Sequence, residues 1–366
     1  WRIEEAIADL DDAIALAPNL AIAYVNRSSL HLLRDNDQAA YADVTQALAL
    51  DPNLPIAYLN RAMLFQSNKA YDRALLDLTE AMRRDPRLVE AYVQRAEALM
   101  QVGRLDEAWT DADFAIRLAG DSRPTLAQAW LVRGRVEIER GNLRAAEQDL
   151  DRSIAAFDFH GLAWVHRAGV RAELGDSAGA LADYNAALER RLSPALRALA
   201  LRTRATFRIE AGDTRGALAD LNEADALQPD DPEILALRGQ LRQRLGDLRG
   251  ALRDLQAARI AAKKLAVVQL PVAREALAAG RPEVALGAID QGLLLDAEHA
   301  ELLLLRSEVL LVLGDLEQAW EAVERSLQSD SMIWMTWRQR AVLARLLGNR
   351  DETVASLQRA WELARD

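Results

Sequence analysis

Nine arginines and eight aspartates stand at fixed places in a recurring frame: Arg27, Arg61, Arg95, Arg133, Arg167, Arg204, Arg238, Arg306 and Arg340, and Asp9, Asp43, Asp77, Asp111, Asp149, Asp183, Asp220 and Asp254. A guanidinium and a carboxylate held at constant separation form a charge-assisted pair. Repetition at fixed register implies a structural pairing, with a row of charges facing a partner as the alternative. At one place both members are lost together, as Val272 and Ala288, which favours pairing inside one repeat; Arg306 and Arg340 keep no such Asp. Other reactive groups are sparse. The four histidines, His31, His160, His166 and His299, form no HExxH or i, i+4 pair, so no metal site is expected. There is no Cys, which excludes thiolate chemistry and disulfides, and the glycines are spaced as helix stops rather than as a phosphate loop. The chain reads as a non-enzyme without cofactor or metal.

The elements that place these charges follow from the period. Pro18, Pro52 and Pro86 lie 34 residues apart. A frame of that length puts a small residue at its eighth position in all ten copies, from Ser28, Ala62 and Ala96 to Ala341. The twentieth position runs small from Ala40 to Thr353 and the twenty-seventh from Ala47 to Ala360. Small side chains let helix backbones approach closely. Between the first two small sites stands a helix stop, Gly103, Gly141, Gly175, Gly212, Gly246, Gly280, Gly314 or Gly348, where a left-handed residue ends one helix before the next begins. Apolar residues recur at helical spacing in both halves, as in Tyr58, Ala62, Phe65 and Ala74, Leu78, Ala81. Each copy is therefore a helix, a tight turn and a helix.

These residues, with an aromatic at the fourth position (Tyr24, Tyr58, Tyr92, Trp130, Trp164, Trp337) and Pro at the end of several copies, resemble the tetratricopeptide repeat family. The resemblance covers essentially the whole chain. It implies an all-α, right-handed solenoid of antiparallel helix pairs, with a concave groove lined by the first helix of each pair. The expected organisation is one solenoid over 1–366: a lone second helix of a truncated unit at 1–19, then units beginning near 21, 55, 89, 127, 161, 198, 232, 266, 300 and 334. That makes twenty-one helices and no sheet. Longer loops are expected at "AGDSRPTLAQ" and "RRLSPALRA". In the eighth unit Lys263-Lys264 replaces the usual Pro turn and Pro271 falls inside the first helix, where it should shorten or kink it. Trp1 falls at the turn inside a unit, as in a fragment, and the last helix has no capping successor.

Composition narrows the function. The 366 residues are 51% apolar and 28% charged, with a net charge of −11 and acids interspersed among the bases. No nucleic-acid partner is expected, since phosphate binding needs uncompensated clusters of Lys and Arg. The longest uncharged apolar run, "LAVVQLPVA" at 265–273, is far short of a membrane span, and no membrane insertion is expected. The favoured compartment is the cytoplasm.

The resemblance implies that positions two, five, six, nine, twelve and thirteen of each first helix line the groove. Position six holds the amides Asn26, Asn60 and Gln94 in three successive units. A primary amide offers a donor and an acceptor to an extended peptide backbone. Val25, Ile56, Leu59, Met63 and Val93 lie around them, and Glu90 and Glu97 disfavour acidic ligands at the far end. The family's clamp for acidic C-terminal tails is not expected, because Val25, Ser29, Asn60 and Glu90 stand at its positions and only Asn60 matches. On this reading Asn26→Ala and Asn60→Ala weaken peptide binding and leave stability nearly unchanged. A second candidate surface is Trp334, Met335 and Trp361, with Leu357 and Leu363 on the terminal helix and Trp337 packed in its own unit. The expected function is a protein–protein interaction scaffold that binds an extended peptide or protein segment. The alternatives are the regulatory or sensor arm of a larger protein, or a subunit that self-associates end to end.

Overall fold

The computed structural model describes residues 2–158 and 161–365; Trp1, Phe159, His160 and Asp366 lie outside the described residues. Close packing divides the chain into two units, one through Phe207 and one from Arg208. The first contains α1 (Ile3–Leu16), α2 (Ala21–Leu32), α3 (Asp37–Leu50), α4 (Pro55–Ser67), α5 (Tyr71–Arg84), α6 (Val89–Gln101), α7 (Leu105–Leu118), α8 (Arg123–Glu139), α9 (Leu143–Ala156), α10 (Leu162–Glu173), α11 (Ser177–Leu188) and most of α12 (Pro194–Glu210). The second contains α13 (Thr214–Leu227), α14 (Pro232–Arg244), α15 (Leu248–Ala278), α16 (Pro282–Leu295), α17 (Ala300–Leu313), α18 (Leu316–Ser329), α19 (Trp334–Leu346) and α20 (Arg350–Leu363). Among the described residues there is no strand. Within each unit consecutive helices pack in pairs, α2 on α3, α4 on α5, α17 on α18, α19 on α20, and each second helix also packs on the following first one.

Backbone stops and small contacts set this pattern. The eight Gly stops all have positive φ, between 71° and 85°. In the first two repeats Asp35 and Lys69 occupy the same place and adopt the same left-handed conformation, at φ 54° and 57°, against the steric preference of L-residues. The three small sites are buried in the repeats, and Gly134 shows why: a Cβ there would lie 3.1 Å from Leu150. Five of the six aromatics at position four reach back six residues to the preceding turn, Trp164 to the Asp158 carboxylate. Tyr24, Tyr58 and Tyr92 donate to the carbonyls of Pro18, Pro52 and Pro86 at 3.1, 3.1 and 3.2 Å, and the indole of Trp337 donates to Ser331 at 2.8 Å.

The Arg and Asp series form two-pronged pairs inside single repeats. Arg27 bonds Asp43 at 2.8 and 2.6 Å, Arg61 bonds Asp77 at 2.7 and 2.7 Å, and Arg167 bonds Asp183 at 2.8 and 2.7 Å. Arg95–Asp111, Arg133–Asp149 and Arg238–Asp254 repeat the geometry. The free Nη1 then crosses to the preceding repeat. It reaches position twenty-five there: Asp11 from Arg27 at 2.5 Å, Asp113 from Arg133 and Asp151 from Arg167, both at 2.6 Å. Arg306, without its own Asp, lies 3.2 Å from Asp290, and Arg340 bonds Glu324, Ser356 and Glu352 instead.

Two local expectations need correction. The extra residues at 119–126 and 189–197 do not lengthen the loops; they add a turn to the helices, so that α8 and α12 have 17 residues where α4 and α6 have 13. Pro124 and Pro194 stand near those helix starts, where the missing N–H costs nothing. Nor does Pro271 shorten its helix. The second helix of the seventh repeat and the first helix of the eighth are fused in the 31-residue α15, giving twenty helices among the described residues rather than twenty-one. Ala262-Lys263-Lys264-Leu265 contains no residue that ends a helix, although an interior Pro costs a helix about 3 kcal/mol.

Asp183 is buried while its partner is held by two carboxylates. Removing one member of a buried ion pair costs about 3–5 kcal/mol, whereas replacing both with apolar residues of similar volume is close to neutral. Asp183→Ala is therefore expected to lower unfolding stability by roughly 3 kcal/mol, and Arg167→Met with Asp183→Leu to recover most of it, as measured by urea denaturation.

Candidate binding face of the first helices

Successive first helices touch one another along one side, α2 with α4, α4 with α6, α6 with α8 and α8 with α10. Contacts across these lines show which register positions meet there. Asn60 Nδ2 donates to Ser28 Oγ at 2.7 Å, Ser29 Oγ at 2.8 Å and the Val25 carbonyl at 3.3 Å. Gln66 Nε2 donates to the Gln94 carbonyl at 2.9 Å, and Arg135 Nη1 to Glu97 Oε1 at 2.9 Å. Positions six, nine and twelve thus share a face.

The three amides differ in their surroundings. Asn26 is exposed, Gln94 is half-buried and Asn60 is buried. The donor side of Asn60 is spent on the previous helix, so this amide stabilises the stack whatever else it does. Its counterpart is Gln339, buried beside Ser307 with Nε2 3.5 Å from the hydroxyl. In both cases the small site at position eight is a Ser rather than Ala or Gly, and the next repeat supplies an amide at position six. That coupling is readable in the sequence but lies outside the groove argument.

The apolar neighbours also divide. Val25, Leu59 and Val93 are buried, each in a core cluster: position five turns inward. Ile56 and Met63 remain 41% and 37% exposed, and Ile22 extends the same row. Glu90 is exposed next to them. Of the second surface, Trp334, Met335 and Trp361 are all exposed, with the Arg365 guanidinium 4.2 Å above the Trp361 ring. Leu357, at position twenty-four, is 50% exposed, although that position is buried in Val44, Leu78, Leu150, Leu221 and Ile289.

Further along the face, Glu97, Arg135 and His166 form a polar group. Burial raises the Glu97 carboxyl above its usual range despite Arg135. Burial, helped by the Arg135 charge, lowers His166 to about 4, so its imidazole is neutral near pH 7. Among the described residues no group of three His, Cys, Asp or Glu side chains could hold a metal ion, and no helix is long and apolar enough to cross a membrane.

A Tetratricopeptide repeat model matches residues 127–201 and 272–331. The chain carries tetratricopeptide repeats. Its solved structural neighbours include the Pseudomonas aeruginosa pilF protein, 17% identical at a TM-score of 0.52 over 60% of this chain and 97% of that one. They also include PilW, described as a widely conserved type IV pilus biogenesis factor, 23% identical at a TM-score of 0.51 over 59% of this chain and 96% of that one. At these identities the likeness is one of fold. No curated protein sequence matches the chain. Tetratricopeptide repeat proteins are in general non-enzymatic interaction scaffolds, and this fold binds proteins or peptides.

Two outcomes follow. Asn60→Ala removes the amide that Ser28 and Ser29 share, while the Ser28 hydroxyl keeps its bond to the Val25 carbonyl, a loss of about 1 kcal/mol; contrary to the sequence expectation, a lowered melting temperature should accompany it, while Asn26→Ala should leave melting unchanged. His166 is neutral in the fold and titrates at its ordinary value of about 6.5 when unfolded. Unfolding therefore takes up a proton as the pH falls, and the contribution of His166 is intact above about 6.5 and lost on descent toward 4. The stability difference between the parent and His166→Gln, followed by denaturation from pH 7.5 to 4, should change by up to roughly 3 kcal/mol across that window.

Proposed function

We propose that the repeats act as a scaffold that binds an extended peptide or protein segment along the face of the first helices, with Ile22, Asn26, Ile56 and Met63 in the contact. The observation that carries this reading is a row of apolar side chains left exposed at positions two and nine beside Asn26, where a compact helical stack has no packing use for them. Val25, Leu59 and Val93 support the row from beneath. Asn60 is buried with its Nδ2 engaged by Ser28 and Ser29, so Asn26 is the amide that meets the ligand, and Gln94 stands at the edge. Glu90 stands exposed at the far end, which favours a neutral or basic ligand. The repeats across 1–366 are taken as a single binding module.

A second reading, docking of another molecule on α20, is favoured by Leu357, Val354 and Trp361, which stay exposed on that helix. Multi-angle light scattering at rising concentration separates the two: a groove binder keeps one mass, and an end-docking subunit grows.

The test of the first reading is affinity capture, followed by fluorescence anisotropy with peptides tiled across the captured protein. Ile56→Glu and Met63→Glu are expected to weaken the bound peptide at least tenfold with unchanged circular dichroism. Unchanged affinity, with loss in Trp334→Ala and Met335→Ala instead, would move the site to the C-terminal surface.

A further inference from the structure

Several junctions between repeats have the same centre. Position twenty-four of a second helix meets position three of the next first helix: Leu78 and Ala91 share one core cluster, Leu150 and Ala163 another, Ile289 and Leu302 a third. Position three is buried in nine of the ten repeats, from Ala23 to Thr336. The exception is Val268, which is 57% exposed. Its partner by register is Leu255, only half-buried. Both lie on α15, thirteen residues and about 20 Å apart along a continuous helix.

The rest of that helix shows the same unmet contact. Leu248 and Leu252 are exposed in its first half, and Val268 and Val272 in its second. Ala262–Leu265 occupies the place where other repeats turn through Asp51-Pro52 or Asp85-Pro86. Beside it a hollow of about 430 Å³, lined by Pro229, Asp230, Asp231, Ala261 and Leu265, opens next to the α13–α14 turn. At regular junctions consecutive turns touch, as where Arg84 donates to the Pro52 carbonyl at 2.8 Å. Pro271 opposes the continuous helix as well. In a helix with Val268 as its N-cap it would be the third helical residue, whose backbone N–H has no intrahelical acceptor to lose.

We propose that α15 is a two-state element: the continuous helix exchanges with a folded-back form in which the chain turns over 262–267 and Val268 packs on Leu255. Folding back buries the two apolar stripes against each other and fills the place of the missing turn. It also sets the restarted first helix beside α14, so that the face of the first helices continues from α14 through 268–278 to α17. In the extended form that face is interrupted at α15. The device makes the reach of the binding face in the second unit conditional, and it holds whether or not the ligand is a peptide.

The chain has no Cys, so a full-length Arg253→Cys, Glu275→Cys variant takes two nitroxide labels without competition, at exposed sites outside the apolar stripes. Twenty-two residues of helix separate them by about 33 Å; folding back brings their helices to roughly 10 Å. Double electron–electron resonance is expected to show both distances in the labelled parent. Pro271→Ala should shift the distribution to the long distance, and Lys263→Asp with Lys264→Pro to the short one. A labelled parent with a single distance, long or short, overturns the proposal. So does a short distance that vanishes on dilution with excess unlabelled chain, because the contact would then lie between copies.

Discussion

A buried guanidinium fork organises this molecule. In six repeats among the described residues the arginine at position seven closes two parallel hydrogen bonds on an aspartate sixteen residues later, and in several it sends its remaining nitrogen to the second helix of the repeat before. One side chain therefore fixes three helices at once. A desolvated ion pair gives little net stability against an apolar substitute, but its geometry is strict, because a planar fork meets a carboxylate in one orientation. The fork sets the rotation of each helix about its axis, which small residues alone leave open. The one repeat that lacks both members, with Val272 and Ala288 in their places, is also the one whose first helix runs straight on from the helix before it.

The small sites then set distance. Where Ala or Gly fills position eight, the neighbouring leucine rests on it; Gly239 would bring a Cβ to 2.9 Å of Leu255. Where Ser fills it, a buried hydroxyl appears on an otherwise apolar line, and the structure answers with an amide from the next repeat. Asn60 and Gln339 are thus consequences of Ser28 and Ser307. The Ser28 hydroxyl donates to the Val25 carbonyl and accepts from the Asn60 amide, so both sides of the buried group are used.

Much of this was legible in the sequence because it is periodic. Ten copies of one register identify the helix stops, the small sites and the Arg–Asp pairs, even though any single copy is weak. The acceptors at position twenty-five were missed because they vary: Asp11, Thr79, Asp113, Asn185 and Glu324 share only the ability to accept a hydrogen bond. The inward turn of Val25, Leu59 and Val93 was missed because a family-wide list of groove positions does not account for local rotation of the helix. The fusion at α15 was visible as a lost turn signal, yet Pro271 argued the other way. Local propensity from Ala262 to Leu265 prevailed in the structure, since no residue there favours leaving the helix.

The same economy bears on recognition. Most polar side chains in the repeats are already committed: the arginines to aspartates, Asn60 and Gln339 to serines, Gln66 to a backbone carbonyl, Arg135 to Glu97. A ligand on the first-helix face thus meets few free donors, and the uncommitted surface is the apolar row of Ile22, Ile56 and Met63 beside Asn26. Binding energy there comes from burying apolar area, which discriminates weakly between similar side chains, while a single exposed amide can orient a backbone. Selectivity must then come from exclusion. Glu90 repels an acidic ligand and the Arg135 guanidinium is already held by Glu97, so the face discriminates by what it refuses more than by what it grips.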